Sequence, residues 1–169
     1  PINLYQFAQM GSIYMKLFGN VENPMVRILN MGEELTKGDE VISAARELIE
    51  KSGLNYQGYA EANDIPNGIS DVLICDGFTG NVLIKFGEGL GELLKGQFKE
   101  EYANHLMPKI GLMFMWSAMK RVLGRFDWEK AGGSPLLGVN GAVIKVHGRS
   151  KRKAICYAIL GAANFVEQN

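Results

Sequence analysis

The sequence predicts an α/β domain in which a mostly parallel sheet carries helices on both faces, and three observations lead there. Apolar runs of strand length alternate with stretches whose apolar residues recur at helical spacing, the pattern of right-handed strand-helix-strand crossovers. Polar, glycine-containing segments follow the strands, as they do where a parallel sheet carries a ligand beyond its carboxyl ends. The hydrophobic content of 47% over 169 residues is enough for one sizeable core in one domain.

Leu4, Phe7, Ala8, Gly11, Tyr14, Leu17 and Phe18 give the first helix, with Asn3 as a cap and Gly19 as a stop. Residues 25–30 read as a strand. Residues 32–39 read as a loop whose last member, Asp39, caps a helix with core positions Val41, Ile42, Ala45, Leu48 and Ile49, closed by Gly53. A weaker strand at 56–61 is followed by a turn at 63–68 containing Pro66. The run at 71–76, bounded by acids, reads as a buried central strand, then a turn at 77–81 and a helix with the core stripe Leu83, Phe86, Leu90, Leu93, Leu94 and Phe98. After Pro108 come a second helical segment, a glycine-rich loop at 132–141, a strand at 142–146 and a last helix through Ala154, Ile155, Ala158, Ile159, Ala162 and Phe165.

The 18 basic and 18 acidic side chains cancel, so no global field favours nucleic acid, and none is expected as a partner. Cys75 and Cys156 lie inside apolar runs without metal-type spacing, which reads as reduced, buried thiols and no metal site. No apolar run approaches the roughly 20 residues of a membrane span, and no signal peptide is visible. A cytoplasmic protein is expected. The chain opens on Pro1-Ile2-Asn3 without methionine and enters a helix at once, as though it were part of something longer whose remainder carries half of a site.

The segment at 77–81 is the leading site candidate. Gly77 and Gly80 can take positive φ and let a ligand approach the backbone, and the Thr79 hydroxyl and Asn81 amide can donate to anionic oxygens at a helix start. Such a turn also serves structure alone, as a plain turn and helix cap common in α/β sheets. Lys37, just before a helix, either points at a phosphate or is simply solvated. Glu33 and Glu34 either satisfy backbone or pair with basic neighbours. His147, followed by Gly148, Arg149 and Ser150, is an acid or base near neutral pH or a structural hydrogen-bonder, with Ser150 available to cap the next helix. Glu61 and Asp64, flanking a turn after a strand, either fix the loop or orient a lysine or arginine in the crevice, and His105 reads as surface. The Gly87-Glu-Gly89-Leu-Gly91 string lies within a helical pattern, which removes it as a dinucleotide fingerprint. Cys75 in an apolar strand is a poor nucleophile.

Residues 109–126 form a second informative stretch. Leu112, Met113, Met115, Trp116 and Met119 belong to an apolar arc wider than one core contact needs, beside a basic face with Lys120, Arg121 and Arg125. Such an arc suits a membrane interface, an oligomer-forming hairpin or a buried helix.

The strings GSIY (11–14), GEELTKGDE (32–40), EANDI (61–65), CDGFTGNVLIK (75–85), GGSPLLGV (132–139) and HGRS (147–150) occur in the order seen in the PlsX family of bacterial phosphate acyltransferases. Over nearly all of its length the chain resembles the C-terminal half of that family, with the N-terminal half not included. The resemblance implies a fold like that of isocitrate and isopropylmalate dehydrogenases, a projecting helical hairpin at 102–126, and a homodimer. It implies acyl transfer from acyl carrier protein to inorganic phosphate, giving acyl phosphate for phospholipid synthesis at the cytoplasmic membrane surface, without a cofactor. The family's functional lysine and asparagine fall on Lys37 and Asn81. Departures are Asp39 where members usually carry Asn, Asn63 where Arg is frequent, and Ser150-Lys151 after Arg149 where members carry Ser-Asp. Together these readings give Lys37 and the backbone of residues 77–80 to phosphate or oxyanion, Asn81 to carbonyl orientation and His147 to proton handling. Alternatives are phosphotransacetylase-like transfer to coenzyme A, or a non-catalytic dimerising and membrane-docking piece.

Overall fold

A computed structural model describes residues 1–34, 37–125 and 133–167. Phe126 and Gly132, the expected ends of the helical projection and of the glycine-rich loop, lie outside the described residues. The chain divides into two compact units, residues 1–86 and 87–169.

In the first unit α1 (Ile2–Leu17), β1 (Val26–Leu29), α2 (Glu40–Glu50), β2 (Tyr56–Ala60) and β3 (Val72–Ile74) make an α/β layer, with a 3-10 turn at Ile65–Asn67. The sheet order is β2-β1-β3 and both pairings are parallel, so the carboxyl ends of all three strands point the same way. Val26 lies opposite Val72 and Ile28 opposite Ile74. Asp71 ties this register down, because its Oδ2 accepts the Met25 amide at 2.7 Å. On the other side Val26 pairs with Tyr56 but Ile28 with Tyr59, a bulge that Gly58 accommodates at φ +86.

The core gathers Leu4 and Ala8 of α1, Ala45 and Ile49 of α2, and Val26, Ile28, Tyr59, Val72 and Ile74 of the sheet. Val26, Ile28 and Ile49 are fully buried, and each contributes roughly 1.5–3 kcal/mol by leaving water. Helix α1 sits close on β3 through Gly11, where an added Cβ would meet Val72 Cγ1 at 2.6 Å. Its start differs from expectation, since helical geometry begins at Ile2 with Pro1 in the cap position instead of Asn3. Helix α2 behaves as expected: Asp39 Oδ1 accepts the Ile42 amide at 2.7 Å, and Gly53 closes the segment at φ +77.

The boundary between the units falls within α3 (Gly77–Asn104), which is followed by α4 (Leu106–Arg125), β4 (Ser134–Pro135), β5 (Ile144–Lys145) and α5 (Arg152–Glu167). Three expectations are corrected here. The strand at 142–146 does not extend the parallel sheet; β5 pairs antiparallel with β4, inside what reads as a loop, and Leu136 donates to Val143 O at 2.8 Å. Gly133 makes this possible, since a Cβ there would lie 2.6 Å from the Lys145 carbonyl oxygen. The stripe expected to form core on α3 is open, with Phe86 at 70%, Leu93 at 58% and Phe98 at 54% exposure, because no described segment covers it. Cys156, expected to be buried, is exposed for the same reason.

Candidate functional site

Parallel pairing sets the segments that follow β1, β2 and β3 beside one another at one end of the sheet. Two of them carry Lys37 and Asn81; the third carries Glu61, Asn63 and Asp64. The β1 segment is built around a residue that sequence reading overlooked. Asn30, 8% exposed, donates from Nδ2 to the carbonyls of Gly32 at 3.1 Å and Lys37 at 3.0 Å. The only hint in the sequence is an asparagine placed directly after an apolar strand.

Lys37 lies over Gly32, where a Cβ would come within 2.5 Å of its Cδ and 2.9 Å of its Nζ. Its ammonium is 2.8 Å from Glu34 Oε1. The hydrogen bond that the ammonium donates to Glu34 comes first among the causes that raise the lysine pKa, followed by Coulomb attraction to Glu34, with a smaller pull from Glu61. Reciprocally, the Lys37 hydrogen bond holds Glu34 below its usual carboxylate range. An open depression of ≈ 430 Å³ alongside is lined by Glu33, Glu34, Glu61, Asn63 and Asp64. Asp64 is the loop-fixing acid expected, accepting the Glu61 amide at 3.0 Å.

Asp76 decides the local structure after β3. Its Oδ1 accepts the amides of Phe78 at 2.8 Å and Thr79 at 2.9 Å, and its Oδ2 takes the Thr79 hydroxyl. The expected turn at 77–81 is therefore the opening of α3, and neither Gly77 nor Gly80 has positive φ. Gly80 serves a different need, close packing, since a Cβ would lie 2.9 Å from Cys75 Sγ. The Asp76 carboxyl sits below its ordinary range, first because of the Thr79 hydroxyl and then the Thr79 amide. The sequence signal was present as Asp76 with Thr79 three residues on, the spacing of a helix-start cap. Asn81 follows, exposed, in the next turn of α3. Cys75 is half-buried and burial pushes its thiol pKa up, with the Asp76 charge adding to it, as a poor nucleophile requires.

His147 belongs to the second unit. Its Nδ1 accepts the Arg149 amide at 3.1 Å and its Nε2 stands 3.8 Å from Glu88 Oε2. Arg149 pairs with Glu92 at 2.7 Å, so two residues of this turn meet acids one helical turn apart on α3. His105 is at the surface beside Glu101, as expected. On α4, Met113, Met115 and Trp116 are exposed while Leu112 and Met119 are half-buried. Lys109, Leu112, Met113 and Trp116 line an open groove of ≈ 300 Å³ there. No described helix is long and apolar enough to cross a membrane, and the described residues hold no acid, histidine and cysteine cluster suited to a metal ion.

The profile of a family described as fatty acid synthesis protein matches residues 1–169. Among curated relatives, a phosphate acyltransferase of Heliobacterium modesticaldum is 45% identical over 169 residues, covering 100% of this chain and 50% of the relative. The phosphate acyltransferase of Thermoanaerobacter pseudethanolicus is 42% identical over 167 residues, 99% of this chain and 50% of the relative. That of Coxiella burnetii strain RSA 331 is 42% identical over 170 residues, with coverage of 100% and 50%. The chain spans about half the length of the curated relatives it matches.

Proposed function

This chain belongs to the fatty acid synthesis protein family, and we propose from that premise that it is the C-terminal portion of an acyltransferase that converts acyl-ACP and inorganic phosphate to acyl phosphate and free carrier protein. The observation that carries the reading is the parallel register of β1 and β3, which sets the segments bearing Lys37 and Asn81 at the same end of one sheet. A phosphate oxygen attacks the thioester carbonyl, a C–O bond forms, the C–S bond breaks, and the thiolate leaves and takes up a proton. No covalent enzyme intermediate is needed. The protein's task is to hold a dianion against a carbonyl and stabilise the oxyanion, where orientation can contribute several kcal/mol and one donor roughly 3 kcal/mol.

In this reading Lys37 leaves Glu34 for phosphate and Asn81 orients the thioester carbonyl. Gly77, Thr79 and Gly80 join them at the start of α3, Thr79 once its amide and hydroxyl are released by the Asp76 carboxylate. His147 handles the thiol proton. The surrounding architecture is dehydrogenase-like, α3 and α4 form the projecting hairpin over 102–126, and the working species is a homodimer. The test is phosphate-dependent thiol release from acyl-ACP by the full-length enzyme carrying Lys37→Ala or Asn81→Ala. A loss of about a hundredfold or more in kcat/KM is expected, and activity within about threefold of the parent removes that residue from the mechanism. Equal turnover of coenzyme A thioesters would favour the phosphotransacetylase-like alternative.

The exposed Met113, Met115 and Trp116 on α4 favour one addition, docking on a cytoplasmic membrane surface. Sedimentation with anionic liposomes should fall several-fold on Trp116→Glu; unchanged binding excludes insertion of this face.

A further inference from the structure

We infer that Asn30 is a positioning residue for acyl transfer, fixing the Lys37 segment to the sheet; the inference rests on the reading of Lys37 given above. Asn30 is the first residue beyond β1, and its backbone amide donates to Ala60 O of β2 at 2.9 Å. Its side chain is buried, and Nδ2 uses its two hydrogens on carbonyls five residues apart, Gly32 at 3.1 Å and Lys37 at 3.0 Å. Its Oδ1 faces Gly38, whose φ is +102 and where an added Cβ would come within 2.7 Å. The carboxamide thus ties Gly32 and Lys37 together, while the backbone of the same residue holds the loop's foot to β2 directly beyond β1.

This arrangement asks for more than bulk. A leucine of similar size would leave both carbonyls without the donor, and an aspartate would aim an oxygen at them. Only the carboxamide supplies both hydrogens while presenting an acceptor side that fits against Gly38. Because the donor bonds directly to the Lys37 carbonyl, the backbone from which the ammonium extends is fixed before any anion arrives, and ordering it need not be repeated at each turnover.

A mutant cycle tests the inference on the full-length enzyme, reading kcat and KM for inorganic phosphate with acyl-ACP saturating, normalised to folded protein. Asn30→Ala and Asn30→Asp are each expected to lower kcat/KM about tenfold or more in the parent, yet by less than about twofold in a Lys37→Ala background, because they act through that lysine. Equal losses in both backgrounds mean a merely structural role and overturn the inference, as does parent-like activity of both Asn30 variants. Should Lys37→Ala itself retain parent activity, the reading of Lys37 fails and takes the inference with it, a result distinct from equal losses. If Asn30→Ala does not fold, Asn30→Asp, which keeps the side chain's size and replaces only the donor, carries the same cycle.

Discussion

Lys37 keeps its proton more firmly than a solvated lysine because Glu34 sits 2.8 Å away. A raised lysine pKa means that the pair's contribution is complete below the ordinary value of 10.5 and fades as pH climbs through the folded-state value. Both side chains are about half exposed, so added salt weakens the pair. Glu34→Gln should lower the Lys37 pKa, read as an earlier alkaline titration of the side-chain resonance by NMR; an unchanged midpoint would assign the shift elsewhere. Asp76 runs the opposite way. Its lowered pKa makes the cap complete above the ordinary carboxylate value of 3.8 and lost as pH falls through the folded value. Thr79→Val removes the first cause of that shift and should move the Asp76 titration upward, with the Phe78 and Thr79 amides exchanging faster at the acid end.

Among the elements, α1 depends on a missing side chain. Gly11→Ala gains up to about 1 kcal/mol of helix propensity but drives a methyl into Val72, a β-branched residue with little rotamer freedom on a packed strand. Overpacking of this kind costs about 1–3 kcal/mol, so a net loss of stability is expected from urea unfolding, with the α1 amides losing protection. At the start of α2, Asp39→Ala should cost about 1 kcal/mol through the Ile42 amide that it leaves uncapped. The strands of the first unit, its two helices and the Asp39 cap were legible in the sequence because each rests on local chemistry or on period. The opening of α3 was misread because two glycines suggested a turn, while a single carboxylate accepting from two amides favours helix from Gly77 onward. The β4-β5 hairpin was hidden by the brevity of its strands, two residues each, too short for any alternation to show.

At the scale of the whole molecule, the weakest inference from sequence was which apolar faces are covered. Periodicity finds the stripe Leu83, Phe86, Leu90, Leu93, Leu94 and Phe98 correctly as one face of a helix, but the partner that would bury it is a matter of distant residues, and α3 has no buried residue. Asn30 escaped notice similarly, since its two acceptors are fixed by how a loop folds back and not by any spacing. Large exposed apolar faces drive association. The chain by itself should therefore sediment in a concentration-dependent way and bind a hydrophobic dye, and Leu90→Lys with Leu93→Glu should reduce both; behaviour indifferent to those changes would show that the face is not what associates.

The order β2-β1-β3 has one more consequence. Among the described residues the middle strand alone is flanked by strands on both sides, so the outer edges of β2 and β3 present amides and carbonyls that pair with no described strand, a template on which further strands, or the edge of a neighbouring molecule, can add. Stacking of that sort is insensitive to detergents that mask greasy helices, and it would announce itself as a growing amide-I signal for intermolecular strands during storage.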